Sequence, residues 1–146
     1  MNQVVSYQLQ GDIGVMTLDN PPVNALSQVL RAGMKEALEQ AQEDSSKAVL
    51  MICKGRTFIA GADLTEFGKG KSEPPLDAVF DLIENSKKPV IAAIHGNAFG
   101  GGLETALICH YRVALSNSMV GLPEVKLGLL PGAGGTQRIP RVAGVK

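Results

Sequence analysis

The run Lys88-Pro89-Val90-Ile91-Ala92-Ala93-Ile94-His95-Gly96-Asn97-Ala98-Phe99-Gly100-Gly101-Gly102-Leu103-Glu104 sets a strand, a glycine-rich loop and a helix start in one unbroken stretch. Residues 90–94 are continuously apolar, as a parallel strand covered on both faces is. The loop over 95–102 then feeds a helix expected at 103–107. Towards the N-terminus, Leu76, Val79, Phe80 and Ile83 recur at helical spacing, and Pro89 stops that helix. Residues 68–75 are polar, with glycines, lysines and prolines, and read as an exposed, mobile connection. Before them lie a short helical turn at 65–67 and a glycine- and alanine-rich loop at 55–64. Residues 48–53 form a second continuous apolar strand. A long helix begins after Ser27, a plausible N-cap, with Leu30, Met34, Ala37, Leu38 and Ala41 on one face, and closes at Glu43-Asp44-Ser45-Ser46. Residues 4–9 and 13–18 form two strands turning at Gly11-Asp12, ended by Asn20-Pro21-Pro22. Towards the C-terminus, strands are expected at 111–115 and 119–120. The chain then passes Gly128, Pro131 and Gly132-Ala133-Gly134-Gly135 into a last helix. This alternation argues an α/β fold with at least part of the sheet parallel. No fixed-period repeat or internal linker divides the chain, so residues 1–146 read as one domain. Residues 141–146 break off inside a helical pattern, which reads as a truncation at the C-terminal end.

The 146 residues suffice for one domain with a real core. Hydrophobic residues make up 45% and charged residues 19%, an ordinary globular balance. Basic and acidic residues number 14 each, so no global field favours nucleic acid or an anionic membrane. Cys53 and Cys109 lie far apart in apolar runs and read as buried, reduced thiols. With His95 and His110 they lack metal-ligand spacing, so no metal site is expected. Met1-Asn2-Gln3 opens no signal peptide, and no apolar run is long enough for a membrane helix, so a cytoplasmic setting is expected.

Several motifs fail on inspection. Gly70-Lys71-Ser72 matches a P-loop tail, but Thr65 stands where its first glycine belongs. Gly132-Ala133-Gly134 carries Gln137 in place of the last glycine of a dinucleotide fingerprint. No serine sits in a nucleophile elbow. Two glycine-rich loops remain, each following a buried strand: Phe58-Ile59-Ala60-Gly61-Ala62-Asp63, and Gly96-Asn97-Ala98-Phe99-Gly100-Gly101-Gly102. Small residues let a ligand approach the main chain, and amides at a helix start carry partial positive charge. Either loop alone could be tight packing; two in the same context point to a ligand. Asp63, Glu104 and Glu124 are the acidic residues of note. Glu104 could serve only the helix dipole, Glu124 could be an exposed loop carboxylate, and Asp63 could cap the turn at 65–67.

Taken together, these stretches resemble the crotonase family, the enoyl-CoA hydratases and isomerases. Residues 58–63 resemble its first oxyanion segment, and residues 88–104 its second. Residues 122–137, beginning Leu122-Pro123-Glu124, resemble a third signature, and Asn20-Pro21-Pro22-Val23-Asn24-Ala25-Leu26 fits the family's N-terminal turn. The four blocks occur in order over nearly the whole chain. The resemblance implies a crotonase-like (ClpP/crotonase) spiral of ββα units, here an N-terminal portion without the C-terminal helices.

The resemblance also implies roles. The N–H groups of Ala62 and Gly101 match the donors that hold the thioester oxygen, and Glu104 and Glu124 match the paired catalytic glutamates of the hydratases. Ala60, Gly61 and Asp63 fall in the substrate-binding segment. Gly132 matches a position that aims a further amide towards the reacting water. The activity implied is addition of water to trans-2-enoyl-CoA in fatty-acid β-oxidation, with Δ3–Δ2 isomerisation as an added capacity. Another enolate-forming reaction through Glu124 alone, and a non-catalytic acyl-CoA-binding fragment, are the alternatives. Residues 98–104, 109–112 and 121–125 resemble the N-terminal part of multifunctional β-oxidation enzymes. No cofactor is expected beyond the coenzyme A of the substrate, and NAD only if a dehydrogenase follows. The partners implied are acyl-CoA and either a homo-oligomer or that dehydrogenase in continuous chain. Lys54 and Arg56 read as a solvated pair rather than as phosphate ligands.

Overall fold

The computed structural model describes residues 4–70 and 72–145. The opening Met1-Asn2-Gln3, Lys71 of the failed P-loop match and Lys146 lie outside the described residues. Strands β1 (Val5–Gln10) and β2 (Ile13–Leu18) form the expected hairpin, with Gly11 at φ 59° in the turn. Helix α1 (Gln28–Glu43) follows. Ser27 Oγ accepts the Leu30 N–H at 3.3 Å, occupying one of the donors a helix start leaves free. Leu30, Met34, Ala37, Leu38 and Ala41 are buried at the helical period that announced them.

Strands β3 (Ala48–Cys53) and β4 (Val90–Ile94) match their apolar runs, with α2 (Leu76–Glu84) between them. Helix α2 ends at an Asn85 cap, ahead of Pro89; Asn85 N–H and Nδ2 both bond the Asp81 carbonyl. Then come β5 (Asn97–Phe99), α3 (Gly101–Ile108), β6 (Tyr111–Ala114), β7 (Met119–Gly121) and α4 (Gly135–Ala143). The main sheet runs β1-β2-β3-β4-β6; β2, β3, β4 and β6 are mutually parallel and β1 is antiparallel to β2.

A second, narrower layer gives the fold its repeat. β5 pairs with β7, and single parallel bridges join Leu26 to Ala62 and Ile59 to Ala98. β2, β3 and β4 thus each hand the chain to a short segment of this layer, and a helix returns it to the next sheet strand. That is a strand–strand–helix spiral. β5 falls inside what reads as a loop, because three residues carry too little pattern to announce a strand.

Two expectations are corrected. β3 and β4 are apolar throughout but not covered on both faces. Val49, Met51, Val90, Ala92 and Ile94 are buried in the core, while Leu50, Ile52, Ile91 and Ala93 on the other face are half-buried. Nor is the connection at 68–75 a free strand of chain. Arg31 of α1 donates from Nη2 to Ser72 Oγ at 2.7 Å and from Nε to the Pro74 carbonyl at 2.9 Å, strapping the segment to the helix.

Candidate active site

The two glycine-rich loops meet in the second layer. Leu26 N–H donates to the Gly61 carbonyl at 2.9 Å, and Phe99 N–H to the Ile59 carbonyl at 3.1 Å, so residues 59–62 lie between the Leu26 turn and β5. Gly61 takes φ 128°, a conformation that favours glycine. Gly100, at φ 52° and ψ −126°, makes the turn into α3. Ala62 and Gly101 come together here: a Cβ added at Gly101 would stand 3.8 Å from the Ala62 nitrogen and 3.0 Å from Leu26 Cδ1. Among the described residues no acceptor of this chain takes the N–H of Ala62 or of Gly101. Two neighbouring amides are left available to an outside acceptor.

Ala62 and Gly101 line a cavity of about 590 Å³ whose wall also carries Glu104, Glu124 and Gly132. Leu76 and Phe80 of α2, Ile108 of α3 and Leu130 supply its apolar lining. Glu104, in the first turn of α3, is 2% exposed. Its Oε1 accepts two amides, from Ala133 at 2.9 Å and Gly135 at 2.8 Å. Glycine at 135 is needed on steric grounds, since a Cβ there would stand 3.0 Å from that same Oε1. Glu124 lies on a 3₁₀ turn, Pro123–Leu127. Its Oε2 is buried and takes no hydrogen bond among the described residues. Its Oε1 stands 3.0 Å from where a Cβ would project at Gly100.

The structure separates the remaining candidates. Ala60 and Gly61 line a smaller adjoining cleft with Gly100, Gly101 and Glu124. Asp63 turns away from both: its Oδ1 accepts the Thr65 N–H at 2.9 Å and the Thr65 hydroxyl at 2.8 Å, capping the 3₁₀ turn Leu64–Glu66. Those two bonds hold its carboxyl below the usual carboxylate range. Gly132 borders the cavity, but Ala133 and Gly135 are the residues whose amides grip Glu104. Sequence reading singled out neither; the only signal was the run Gly132-Ala133-Gly134-Gly135 itself.

The other polar candidates are tied into the framework. His95 Nε2 lies 3.0 Å from the Gly55 carbonyl, and His110 Nδ1 accepts the Val90 N–H. Lys54 pairs with Asp19 at 3.3 Å. Burial pushes the Cys53 thiol well up and that of Cys109 to about 12, so both stay protonated and inert. Among the described residues no group of three or more His, Cys, Asp and Glu could hold a metal ion, and no helix is long and apolar enough to cross a membrane.

A parallel sheet spiralling through a second strand layer into helices, with paired free amides where the loops cross, is the crotonase fold. The enoyl-CoA hydratase of Bacillus anthracis superposes on it with a TM-score of 0.88 at 35% identity, covering 98% of this chain and 59% of that one. The chain belongs to the enoyl-CoA hydratase/isomerase family, whose model matches residues 8–146. The peroxisomal bifunctional enzyme of Danio rerio is 50% identical over 142 residues, 95% of this chain and 20% of that protein. A probable enoyl-CoA hydratase of Bacillus subtilis is 42% identical over 148 residues, 96% of this chain and 57% of that protein. The chain therefore spans a fifth of the multifunctional relative and under two thirds of the shorter one.

Proposed function

We propose that residues 1–146 form the catalytic part of an enoyl-CoA hydratase domain, adding water across the double bond of a trans-2-enoyl-CoA in fatty-acid β-oxidation. The observation that carries this reading is the buried, unpaired Oε2 of Glu124, which shares a cavity with two unengaged amides and Glu104. A buried carboxylate oxygen without a partner is costly, and in a cavity wall it points to a role towards a ligand.

In this reading the N–H groups of Ala62 and Gly101 hold the thioester oxygen. Water attack at Cβ drives charge onto that oxygen, and each preorganised donor is worth about 3–4 kcal/mol of barrier. Glu104 has Oε1 committed to two amides, so it takes the water proton on Oε2. Glu124 delivers a proton to Cα. The proton on Glu104 then returns to Glu124 through the next water, which restores the pair and leaves the net addition of one water. The apolar wall of Leu76, Phe80, Ile108 and Leu130 receives the acyl chain. The freedom of Glu124 supports a second reading, Δ3–Δ2 isomerisation with Glu124 moving the proton alone.

The reaction as drawn needs no cofactor beyond the coenzyme A of the substrate. Dehydrogenase chemistry with NAD would belong to a continuation of the chain such as a bifunctional relative's name implies. Relatives are named peroxisomal or glyoxysomal, so the compartment proposed is such an organelle where the host has one, and the cytoplasm otherwise. The test is hydration of crotonyl-CoA, followed as loss of enoyl-thioester absorbance, in the parent, Glu104→Gln and Glu124→Gln. Collapse in both variants supports the two-glutamate hydratase. Loss of proton shuttling in Glu124→Gln alone favours the isomerase. Thioester binding without turnover in the parent identifies a binding fragment.

A further inference from the structure

Arg31 is a charged residue on the buried face of α1, where its neighbours Leu30 and Met34 are apolar; it is 8% exposed. Burying a guanidinium is expensive unless its donors are all engaged. Here four of the five are, and the acceptors fall into two sets. Nη1 donates to the Leu26 carbonyl at 2.7 Å and to Glu66 Oε2 at 3.0 Å. Nη2 donates to Ser72 Oγ at 2.7 Å and Nε to the Pro74 carbonyl at 2.9 Å. Glu66 in turn accepts the Gln28 N–H at 2.6 Å through Oε1, closing a ring between α1 and the strap at 66–74.

The first of these contacts leads to the site. Leu26, whose carbonyl Arg31 holds, donates its own N–H to the Gly61 carbonyl at 2.9 Å and forms the bridge to Ala62. Leu26 Cδ1 also lies 3.0 Å from a Cβ built on Gly101. One residue thus touches the segments of both free amides, and one guanidinium fixes that residue. Arg31, Ala62, Leu76 and the strap border a common groove.

We propose that Arg31 is a positioning residue for the oxyanion donors: by clamping the Leu26 carbonyl to the strap, it fixes where the Ala62 amide points. The inference rests on reading Ala62 and Gly101 as those donors. A planar fork suits this task because several acceptors are met at fixed angles, which a lysine ammonium cannot reproduce in full. A displacement of the donor by about 1 Å is enough to cost on the order of 10²-fold in rate.

The experiment compares Arg31→Met and Arg31→Lys with the parent in the intact protein. The readouts are kcat, KM and the carbonyl stretching frequency of a bound enoyl-CoA labelled with carbon-13 at C1. An engaged oxyanion site lowers that frequency, and a purely structural lesion in molecules that still fold does not change it. Arg31→Met is expected to lose about 10²-fold in kcat with KM within about threefold, and to lose most of the frequency shift. Arg31→Lys, which keeps one donor for the Leu26 carbonyl, is expected to regain part of both. If Arg31→Met does not fold, Arg31→Lys alone decides through its frequency shift. A parental kcat and frequency in either folded variant, with only a lower melting temperature, would overturn the proposal. A parent that binds the thioester without any shift would sink the reading of Ala62 and Gly101 itself, a distinguishable result.

Discussion

Helix α1 and the sheet beneath it bury Leu30, Met34, Leu38, Met16 and Met51 completely, whereas α4, at the other end of the chain, buries only Gly135. Polar groups divide the same way. In the first region Asp44 accepts hydrogen bonds from Tyr7 at 2.7 Å, from Ser46 and from Lys88 at 3.1 Å, and Lys88 also reaches the Ala41 carbonyl. In the second, Glu124 keeps a buried oxygen without a partner among the described residues, and Val125 and Leu130 stand exposed. One region is satisfied internally and the other is not. The difference teaches where stability and chemistry reside. The framework contributes packing, and the segment from 119 to 143 carries Glu124 of the proposed site and exposed apolar side chains.

The strongest way to sharpen this contrast is to remove the proton-transferring oxygen from each glutamate while keeping its shape. Glu124→Gln and Glu104→Gln should each cut hydration by about 10²–10⁴-fold. Glu124→Gln should leave the urea midpoint unchanged or raise it, because no framework bond is lost. Glu104→Gln keeps an amide oxygen for Ala133 and Gly135, so its midpoint should move little. A large loss of stability in either would place these carboxylates in the framework and break the comparison.

The framework should respond in the opposite sense. Met34→Ala opens a cavity in a fully buried site and is expected to cost about 2–5 kcal/mol in denaturant unfolding. Turnover per folded molecule should stay near the parental rate. Gly100→Ala sits at the boundary. Its backbone is in a region that side chains disfavour, a strain of about 1–3 kcal/mol, and its Cβ would press on Glu124 Oε1. Both stability and kcat should fall, and a kcat kept at the parental rate while the urea midpoint drops would leave only the backbone strain.

Acid should attack the framework first. For Asp44, burial is the largest single influence and acts to raise the pKa, but the bonds from Ser46, Tyr7 and Lys88 outweigh it and hold the carboxyl well below its ordinary value. Glu66 is depressed likewise, with burial opposing and the Gln28 N–H and Arg31 prevailing. A depressed folded-state pKa contributes stability that is whole above the unfolded value and is lost as pH falls through the folded one. The urea midpoint should therefore hold from neutral pH to about 5, then decline below about 4. Asp44→Asn should start lower and decline less steeply.

Much of this architecture is legible in the residues. The periodicity of 30, 34, 37, 38 and 41 announces α1, Ser27 announces its start, and the apolar runs announce β3 and β4. What escapes is contact at long range. The segment at 68–75 reads as free because its own residues are polar and flexible, yet its anchor, Arg31, lies 41 residues before Ser72. From its own neighbours Glu104 could serve only the helix dipole, because the amides that grip it come 29 and 31 residues later. The continuous apolar runs conceal alternating burial, since composition does not say which face a neighbour covers. For the site, composition and spacing give the residue types one by one, and only the family resemblance puts Ala62, Gly101, Glu104 and Glu124 in one place.

The smallest expected effect probes whether the cap of α1 belongs to the framework alone. Ser27 Oγ accepts from Leu30 N–H and from Asn20 Nδ2 at 3.1 Å, next to the Leu26 turn that touches both candidate amides. Ser27→Ala should cost about 1 kcal/mol, the usual worth of an N-cap. Asn20 Nδ2 still holds the Ala25 carbonyl at 2.9 Å, and Arg31 still holds that of Leu26. If the guanidinium rather than the cap orients the turn, kcat should stay within about twofold of the parent while the midpoint shifts. A drop in kcat as large as that of Arg31→Met would instead spread the positioning over the whole helix start, and the line between framework and site would move to Asn20.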